Sequence, residues 1–160
     1  MNKALFLDRD GILIKERGNY NYLEEHFQIN EQIIPLLQHA AGKGYLLIVI
    51  TNQGGVEKKI YKASDIHQIH DKIKNYFENL SIVFTDFFHC EHHNTLSQCI
   101  CRKPDSLMIE KACAIYDVDP NISFMVGDKE TDKQAGEKVG VTGIQINANT
   151  TISNYKQLIN

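Results

Sequence analysis

The sequence has no tryptophan, only three prolines and no long apolar run. No stretch approaches the roughly 20 consecutive apolar residues of a membrane-spanning helix, so we predict no membrane association. The apolar run near the N-terminus is interrupted at Asp8 and is too short for a secretory signal peptide. We therefore expect a cytoplasmic protein.

Neither sign of charge dominates, because 17 Lys and Arg residues face 20 Asp and Glu residues and the net charge is -3. A nucleic-acid-binding protein needs a basic surface, so we predict no nucleic-acid partner. Hydrophobic residues make up 42% of the chain, which is too many for a disordered protein. A chain of 160 residues suits one domain. We expect a single domain over residues 1–160, and we expect a monomer.

Five short apolar runs predict β-strands. They are continuous rather than alternating, as in strands that are covered on both faces. The runs are residues 4–7, 45–50, 82–88, 123–126 and 143–146. Helical periodicity lies between them, at residues 31–43, 64–80, 105–116 and 130–139. The alternation predicts an α/β protein with helices on both sides of a central, mostly parallel, Rossmann-like sheet in a three-layer sandwich.

Polar residues follow the first two strands, where parallel sheets bind their ligands. Asp8 and Asp10 come directly after the first strand, and their spacing puts both side chains on one side of an extended chain. Buried carboxylates are costly unless they face a metal ion or another cation. Thr51 and Asn52 end the second strand before two glycines, a combination suited to phosphate oxygens.

Two further polar groups occur later in the chain. Asp128 and Asp132 follow the fourth strand, and Lys103 precedes Pro104 at the start of a helix. In this order, the four groups resemble the four motifs of the haloacid dehalogenase superfamily, and they span residues 5–132. The segments in which this superfamily inserts a cap domain are short, so we expect a capless enzyme.

The resemblance implies a phosphomonoester hydrolase that forms an aspartyl-phosphate. Asp8 would be the nucleophile, and Asp10 would be the general acid and then the general base. Thr51 and Asn52 would bind the phosphoryl group, and Lys103 would neutralise its charge. Mg²⁺ prefers oxygen ligands, and those implied are Asp8, the backbone carbonyl of Asp10, and Asp128. Asp132 would support these ligands through water or a hydrogen bond.

Three of the four cysteines lie close together, interspersed with histidines. In a reducing cytoplasm, such a cluster indicates a metal site rather than disulfides. Three thiolates and one imidazole form a closed tetrahedral zinc site. The predicted ligands, in a loop at residues 90–101, are Cys90, His92, Cys99 and Cys101. His89 and His93 are competing ligands. Cys113 lies on the apolar side of a helix and is interpreted as a core thiol.

The pattern Cys-x-His…Cys-x-Cys-Arg-Lys-Pro resembles one subfamily of the superfamily. It contains the D-glycero-D-manno-heptose-1,7-bisphosphate 7-phosphatases and the histidinol-phosphate phosphatases, and the resemblance favours His92 as the imidazole ligand. Residues 15–20, which we call the substrate loop, resemble the heptose enzymes in Glu16 and Tyr20, and so does Lys129. The expected substrate-binding residues are Asn52, Arg102, Glu16, Tyr20 and Lys129.

Some positions depart from that subfamily. Gly54 stands where the heptose enzymes usually have serine, and Ile12 stands where threonine is usual. Lys58 and Lys59 replace an Arg-Gly pair and could contact the substrate or simply face the solvent. The leading hypothesis is hydrolysis of heptose 1,7-bisphosphate, with histidinol phosphate as the alternative substrate. A zinc-organised interaction module and a phosphomutase are less well supported, because the catalytic residue types are present and no cap is visible.

Overall fold

A five-stranded parallel sheet forms the centre of the protein. The computed structural model describes residues 1–159. The strands are β1 (Ala4–Leu7), β2 (Leu46–Asn52), β3 (Asp86–Cys90), β4 (Phe124–Gly127) and β5 (Thr142–Gln145). Their order across the sheet is β3-β2-β1-β4-β5, and every pair is parallel. All carboxyl ends of the strands therefore lie at one edge, with β1 in the middle.

Helices cover both faces of the sheet. They are α1 (Ile34–Gly42), α2 (Ala63–Glu78), α3 (Leu107–Tyr116), α4 (Glu130–Glu137) and the short α5 (Tyr155–Leu158). Short 3-10 turns are found at Glu24–His26, Glu31–Ile33 and Pro120–Ile122. The expected three-layer α/β architecture is confirmed. Among residues 1–159, no helix has both the length and the apolar character needed to cross a membrane.

The side chains of β1 explain why both faces are covered. Leu5 and Leu7 belong to one buried cluster with residues of α1 and α2, whereas Ala4 and Phe6 belong to a second cluster with residues of α3 and α4. Because successive side chains of a strand point to opposite faces, a strand between two cores must be apolar at every position. This is why the apolar runs are continuous in the sequence.

The third strand differs most from the sequence prediction. We predicted it at residues 82–88, but the ladder with β2 runs from Asp86 to Cys90. Ile82 and Phe84 are buried in the core without being part of that ladder. Apolar character reports burial rather than strand pairing, so it placed the strand too early. The observed register puts Cys90 opposite Asn52 at the carboxyl edge of the sheet.

The carboxyl edge is open. In the part of the chain that the structure describes, only short turns lie between β1 and α1, and α2 is the one helix between β2 and β3. The segment between β3 and α3 forms turns and bends beside the same edge. No cap domain covers the strand ends within residues 1–159, as the sequence predicts.

Candidate active site

A cavity of about 1040 Å³ opens at the carboxyl edge of the sheet. Eight of the residues predicted to act on the substrate line it, namely Asp8, Asp10, Glu16, Tyr20, Asn52, Arg102, Lys103 and Lys129. Thr51 and Asp128 are not part of its lining. Each directly precedes a lining residue in the sequence, Asn52 and Lys129 respectively. Lys58 and Lys59 are exposed and do not line this cavity. The fold thus brings the predicted residues together, apart from this lysine pair.

The ammonium group of Lys103 lies between two buried carboxylates. Its Nζ is 2.8 Å from Asp8 Oδ1 and 2.5 Å from Asp132 Oδ1, and it donates to the carbonyl of Ile50 at 2.6 Å. These three acceptors use all three donors of the ammonium group. Burial disfavours the charged form of this lysine, but the two carboxylates outweigh burial and raise its pKa. Lys103 is therefore a fixed cation at the floor of the cavity.

The carboxylate of Asp8 is buried. Burial raises the pKa of Asp8 to about 7, and the charge of Lys103 opposes that rise. The carboxylates of Asp132 and Asp10 raise it further. A further cation near Asp8 would favour the ionised form of this carboxylate.

Asp128 completes a group of carboxylates that can hold a metal ion. One oxygen each of Asp8, Asp128 and Asp132 lies within 4.8 Å of the others. Asp128 Oδ1 is buried and has no hydrogen-bond partner among the described residues. Burial also raises the pKa of Asp128. An unpaired buried acceptor beside two further carboxylates fits a hard cation that takes oxygen ligands.

The Asp10 carboxylate takes part in a separate hydrogen-bond network. It accepts hydrogen bonds from Arg9 Nε at 3.0 Å, from Asn21 Nδ2 at 2.7 Å and from Gln53 Nε2 at 2.9 Å. The Asp10 carboxylate is not part of the group formed by Asp8, Asp128 and Asp132. Metal binding by the backbone carbonyl of Asp10 stays a prediction.

Gln53 is the centre of this network, and the sequence analysis missed it. Its Oε1 accepts hydrogen bonds from Arg9 at 3.0 Å and from the Tyr61 hydroxyl at 2.7 Å. Its Nε2 donates to Asp10 and to Thr51 Oγ1, each at 2.9 Å. Burial raises the pKa of Tyr61 to about 12, which keeps the hydroxyl a donor. The full set of contacts leaves one orientation for the Gln53 amide.

Arg9 was missed as well, although it stands between the two motif aspartates. Its side chain is 1% exposed and also donates to the carbonyl of Asn21 at 3.0 Å. A charged residue between two predicted site aspartates is a sequence signal, but its partners Asn21 and Gln53 come from other segments of the chain. Gln53 also stands beside predicted site residues in the sequence, directly after Thr51 and Asn52. Its partners Arg9 and Asp10 likewise come from another segment.

Asn52 contacts the backbone of Lys103. Its Nδ2 donates to the carbonyl of Lys103 at 3.0 Å, and its Oδ1 accepts from the Lys103 N–H at 3.0 Å. The amide therefore ties the end of β2 to the segment that carries Lys103. The hydroxyl of Thr51 is buried and accepts the bond from Gln53. Phosphoryl binding by Thr51 and Asn52 stays a prediction.

The substrate loop forms one wall of the cavity. Glu16 Oε1 accepts from the backbone N–H groups of Arg17 at 2.8 Å and Gly18 at 2.7 Å, so this carboxylate shapes the loop. Glu16 Oε2 also lies 3.9 Å from Lys129 Nζ. The ring of Tyr20 packs edge-on against Tyr61, with 5.7 Å between the ring centroids. The loop thus rests on the network that holds Asp10.

The four predicted zinc ligands converge beside the cavity, within 4.8 Å of one another. The Cys90 and Cys99 sulfurs are 3.7 Å apart, and the Cys90 and Cys101 sulfurs are 3.0 Å apart. His92 Nδ1 lies 3.5 Å from the Cys90 sulfur and 3.3 Å from that of Cys101. A tetrahedral site with Zn–S bonds of about 2.3 Å separates its sulfurs by about 3.7 Å. The Cys90–Cys99 pair matches this separation and the Cys90–Cys101 pair is closer, so the donor set of three thiols and one imidazole suits zinc and the Cys90 and Cys101 sulfurs would move apart to bind it.

The competing histidines face other partners. His89 Nε2 lies 3.2 Å from a Glu91 carboxylate oxygen, and His93 Nδ1 lies 2.8 Å from the Thr95 hydroxyl. Arg102 follows the last cysteine of the cluster directly and donates to the carbonyl of His92 at 2.9 Å. The residues 90–101, which we call the cysteine loop, therefore hold Arg102 at the cavity wall.

Gly55 provides a test of the Tyr61 and Gln53 arrangement. A Cβ at this position would lie 2.1 Å from Tyr61 Cε1, so we expect Gly55→Ala to lower the free energy of unfolding by about 1–3 kcal/mol in urea denaturation. Gly42→Ala is the control, because no atom lies within 4 Å of its Cβ position apart from those of its chain neighbours and its own helix backbone. In a Tyr61→Ala background the clash is absent, and Gly55→Ala should add little. Equal losses in both backgrounds would show that Tyr61 does not account for the effect.

Comparison with known proteins agrees with this geometry. A family model described as polynucleotide kinase 3 phosphatase matches residues 3–154. The chain is 36% identical over 145 residues to the D-glycero-alpha-D-manno-heptose-1,7-bisphosphate 7-phosphatase of Photorhabdus laumondii, covering 87% of this chain and 79% of that protein. It is 38% identical over 136 residues to the D-glycero-beta-D-manno-heptose-1,7-bisphosphate 7-phosphatase of Helicobacter pylori, covering 84% and 78%.

A solved structure shows the same fold. The D,D-heptose 1,7-bisphosphate phosphatase from B. bronchiseptica, complexed with magnesium and phosphate, superimposes with a TM-score of 0.85 at 21% identity. The superposition covers 98% of this chain and 97% of that one. The family resemblance in the sequence is thereby confirmed. The chain has the fold of a haloacid dehalogenase-like phosphatase, is similar to the heptose-1,7-bisphosphate 7-phosphatases, and belongs to the polynucleotide kinase 3 phosphatase family.

Proposed function

We propose that this phosphatase is a Mg²⁺-dependent enzyme that removes the 7-phosphate from D-glycero-D-manno-heptose 1,7-bisphosphate. The main observation in support is the buried Asp8 carboxylate, held by Lys103 beside Asp128 at the floor of an open cavity. Relatives at 36% and 38% identity carry this activity in their names. We also propose that residues 1–160 act as one domain, a cytoplasmic monomer.

The reaction proceeds through two displacements at phosphorus. The Asp8 carboxylate attacks the phosphoryl group, and an Asp8 Oδ–P bond forms as the bond from phosphorus to the sugar oxygen breaks. Asp10, as a carboxylic acid, gives its proton to that leaving oxygen. Asp10 then takes a proton from a water molecule that attacks the aspartyl-phosphate, which releases inorganic phosphate and the Asp8 carboxylate.

The surrounding residues keep these two carboxylates in separate roles. Lys103 fixes Asp8 and places a positive charge next to the phosphoryl oxygens, whose own contacts would come from Thr51 and Asn52. Gln53 and Arg9 fix the orientation of the Asp10 carboxylate. Asp8 thereby serves as nucleophile and Asp10 as proton carrier.

The proposed Mg²⁺ ligands are Asp8, the backbone carbonyl of Asp10, and Asp128, with Asp132 in support. The unpaired Asp128 Oδ1 and the three close carboxylates support this assignment. When bound, Mg²⁺ would neutralise the carboxylates that otherwise repel an anionic substrate, and it would favour the ionised form of Asp8.

The cavity wall suits a sugar with a second phosphate. Arg102 and Lys129 place positive charge on the cavity wall, and Glu16 and Tyr20 present polar and aromatic groups from the substrate loop. Because no cap covers the cavity within the described residues, these groups would select the substrate. Lys58 and Lys59 are exposed and outside the lining, so we assign them no contact.

Cys90, His92, Cys99 and Cys101 are the proposed zinc ligands. Four protein ligands leave no open position, so zinc would organise the cysteine loop and place Arg102 and Lys103 without reacting with the substrate. The reducing environment of the cytoplasm keeps such thiols available.

A phosphate-release assay tests the substrate assignment. The wild-type protein with Mg²⁺ should hydrolyse heptose 1,7-bisphosphate at least tenfold more efficiently, in kcat/KM, than histidinol phosphate, a difference of about 1.4 kcal/mol. Both anomers of the bisphosphate belong in the panel, because the relatives differ in the anomer that they are named for. A higher kcat/KM for histidinol phosphate would overturn the assignment and favour the alternative substrate.

Replacing the nucleophile tests the mechanism. Asp8→Asn should lower kcat at least about 10³-fold, because an amide cannot form the acyl-phosphate bond. Asp71→Asn, on the exposed face of α2, makes the same chemical change away from the cavity and should retain wild-type turnover. Circular dichroism on each variant establishes that it is folded. Turnover of folded Asp8→Asn within tenfold of wild type would exclude this residue as the nucleophile.

Elemental analysis tests the zinc assignment. The wild-type protein should contain about one zinc per chain, and Cys99→Ser should lose it with a fall in the thermal midpoint. Cys113→Ser is the matched control, since this thiol lies outside the four-residue group. Wild-type protein purified without chelator and free of zinc would refute the assignment.

A further inference from the structure

Asn149 is an asparagine in the left-handed backbone region between β5 and α5, with φ of 64°. It does not line the cavity, yet three hydrogen bonds connect it to the site. Its backbone N–H donates to the carbonyl of Gly11 at 2.7 Å. Its side-chain Oδ1 accepts from the Glu16 N–H at 2.7 Å, and its Nδ2 donates to the Glu16 carbonyl at 3.2 Å. One side chain thus satisfies both backbone polar groups of Glu16.

The backbone bond attaches this segment to the motif of Asp8 and Asp10. Gly11 forms the turn after these aspartates, and a Cβ there would lie 3.3 Å from the Cβ of Ala148. The segment around Asn149 therefore packs directly on the turn. Asparagine tolerates the left-handed conformation better than most residues, which lets the backbone bond and the side-chain bonds form together.

The base of the substrate loop is held from its other side as well. The Lys15 N–H donates to the carbonyl of Gln28 at 2.8 Å, and the Lys15 carbonyl accepts from Asn21 Nδ2 at 3.0 Å. Every backbone polar group of residues 15 and 16 therefore has a partner outside the loop. Beyond this base, the tip of the loop carries Gly18, Asn19 and Tyr20 onto the cavity wall.

We propose that Asn149 is a positioning residue for substrate selection. It fixes the base of the substrate loop, and so fixes where Glu16 and Tyr20 meet the substrate. This inference rests on the proposed sugar-bisphosphate activity. It predicts that loss of the Asn149 side chain weakens recognition of a large substrate while the chemistry at Asp8 continues.

The variant Asn149→Gly tests the proposal, because glycine retains the left-handed backbone and removes only the side chain. Asn147→Gly is the matched control: it makes the same change two residues earlier, at an exposed position, and carries the same gain in unfolded-chain entropy. With heptose 1,7-bisphosphate we expect Asn149→Gly to raise KM roughly tenfold and to leave kcat within about twofold. With p-nitrophenyl phosphate, which is too small to need the loop, both variants should match wild type.

Limited proteolysis gives a readout that does not depend on activity. Trypsin cleaves after Lys15 and Arg17, and cleavage requires the loop to open. Cleavage at these bonds, followed by mass spectrometry, should be faster in Asn149→Gly than in Asn147→Gly.

The two measurements separate the possible outcomes. Equal cleavage of the two variants would overturn the proposal that the side chain fixes the loop. Faster cleavage with an unchanged KM for the bisphosphate would overturn its role in selection. If the wild type does not hydrolyse the bisphosphate, the proposed function fails, whereas the cleavage rates still test the contact between Asn149 and the loop.

Discussion

The ion pairs of Lys103 with Asp8 and Asp132 are the contacts on which the rest of the site depends. The three charged side chains lie inside the protein, where an unpaired charge would be very costly. Breaking such a buried pair by removing one partner typically costs about 3–5 kcal/mol. The carbonyl of Ile50 takes the remaining donor, so the lysine cannot move without leaving a buried group unsatisfied. The Lys103 ammonium group therefore connects the residue that follows β1, the C-terminal part of β2 and the first turn of α4.

The cysteine loop explains how Lys103 reaches this position. Cys101 is followed directly by Arg102 and Lys103, and Asn52 binds the Lys103 backbone from the end of β2. The backbone of Gln53 also donates to the carbonyl of Cys90, which begins the loop. The loop is thus attached to the sheet at both of its ends. Gly54 allows this close approach, because a Cβ there would lie 2.8 Å from the carbonyl oxygen of His92. Any side chain at this position would require the loop to shift.

Asp8 and Asp10 have different hydrogen-bond and ion-pair partners. Asp8 is surrounded by cationic and acidic groups at the cavity floor, whereas Asp10 accepts hydrogen bonds from Arg9, Asn21 and Gln53. Although they are two residues apart, the carboxylates occupy different electrostatic environments. In the proposed reaction, these different environments would let the two carboxylates take different roles.

The sequence by itself determined the α/β class, the polar groups after the first, second and fourth strands, and the cluster of three cysteines with nearby histidines, whereas the choice of His92 came from the family resemblance. These are local signals: apolar runs report burial, and polar residues directly after a strand lie at its carboxyl edge. The same signals placed β3 too early, because Ile82 and Phe84 are buried without joining the ladder with β2.

Only the tertiary structure decided which distant groups meet. Gln53 binds Asp10, Arg9 and Tyr61, and Asn149 binds Glu16 from 133 residues away. A side-chain amide can pair with any backbone or side-chain polar group within reach, so its partner depends on how whole elements pack. No periodic pattern in the sequence indicates which partner that is.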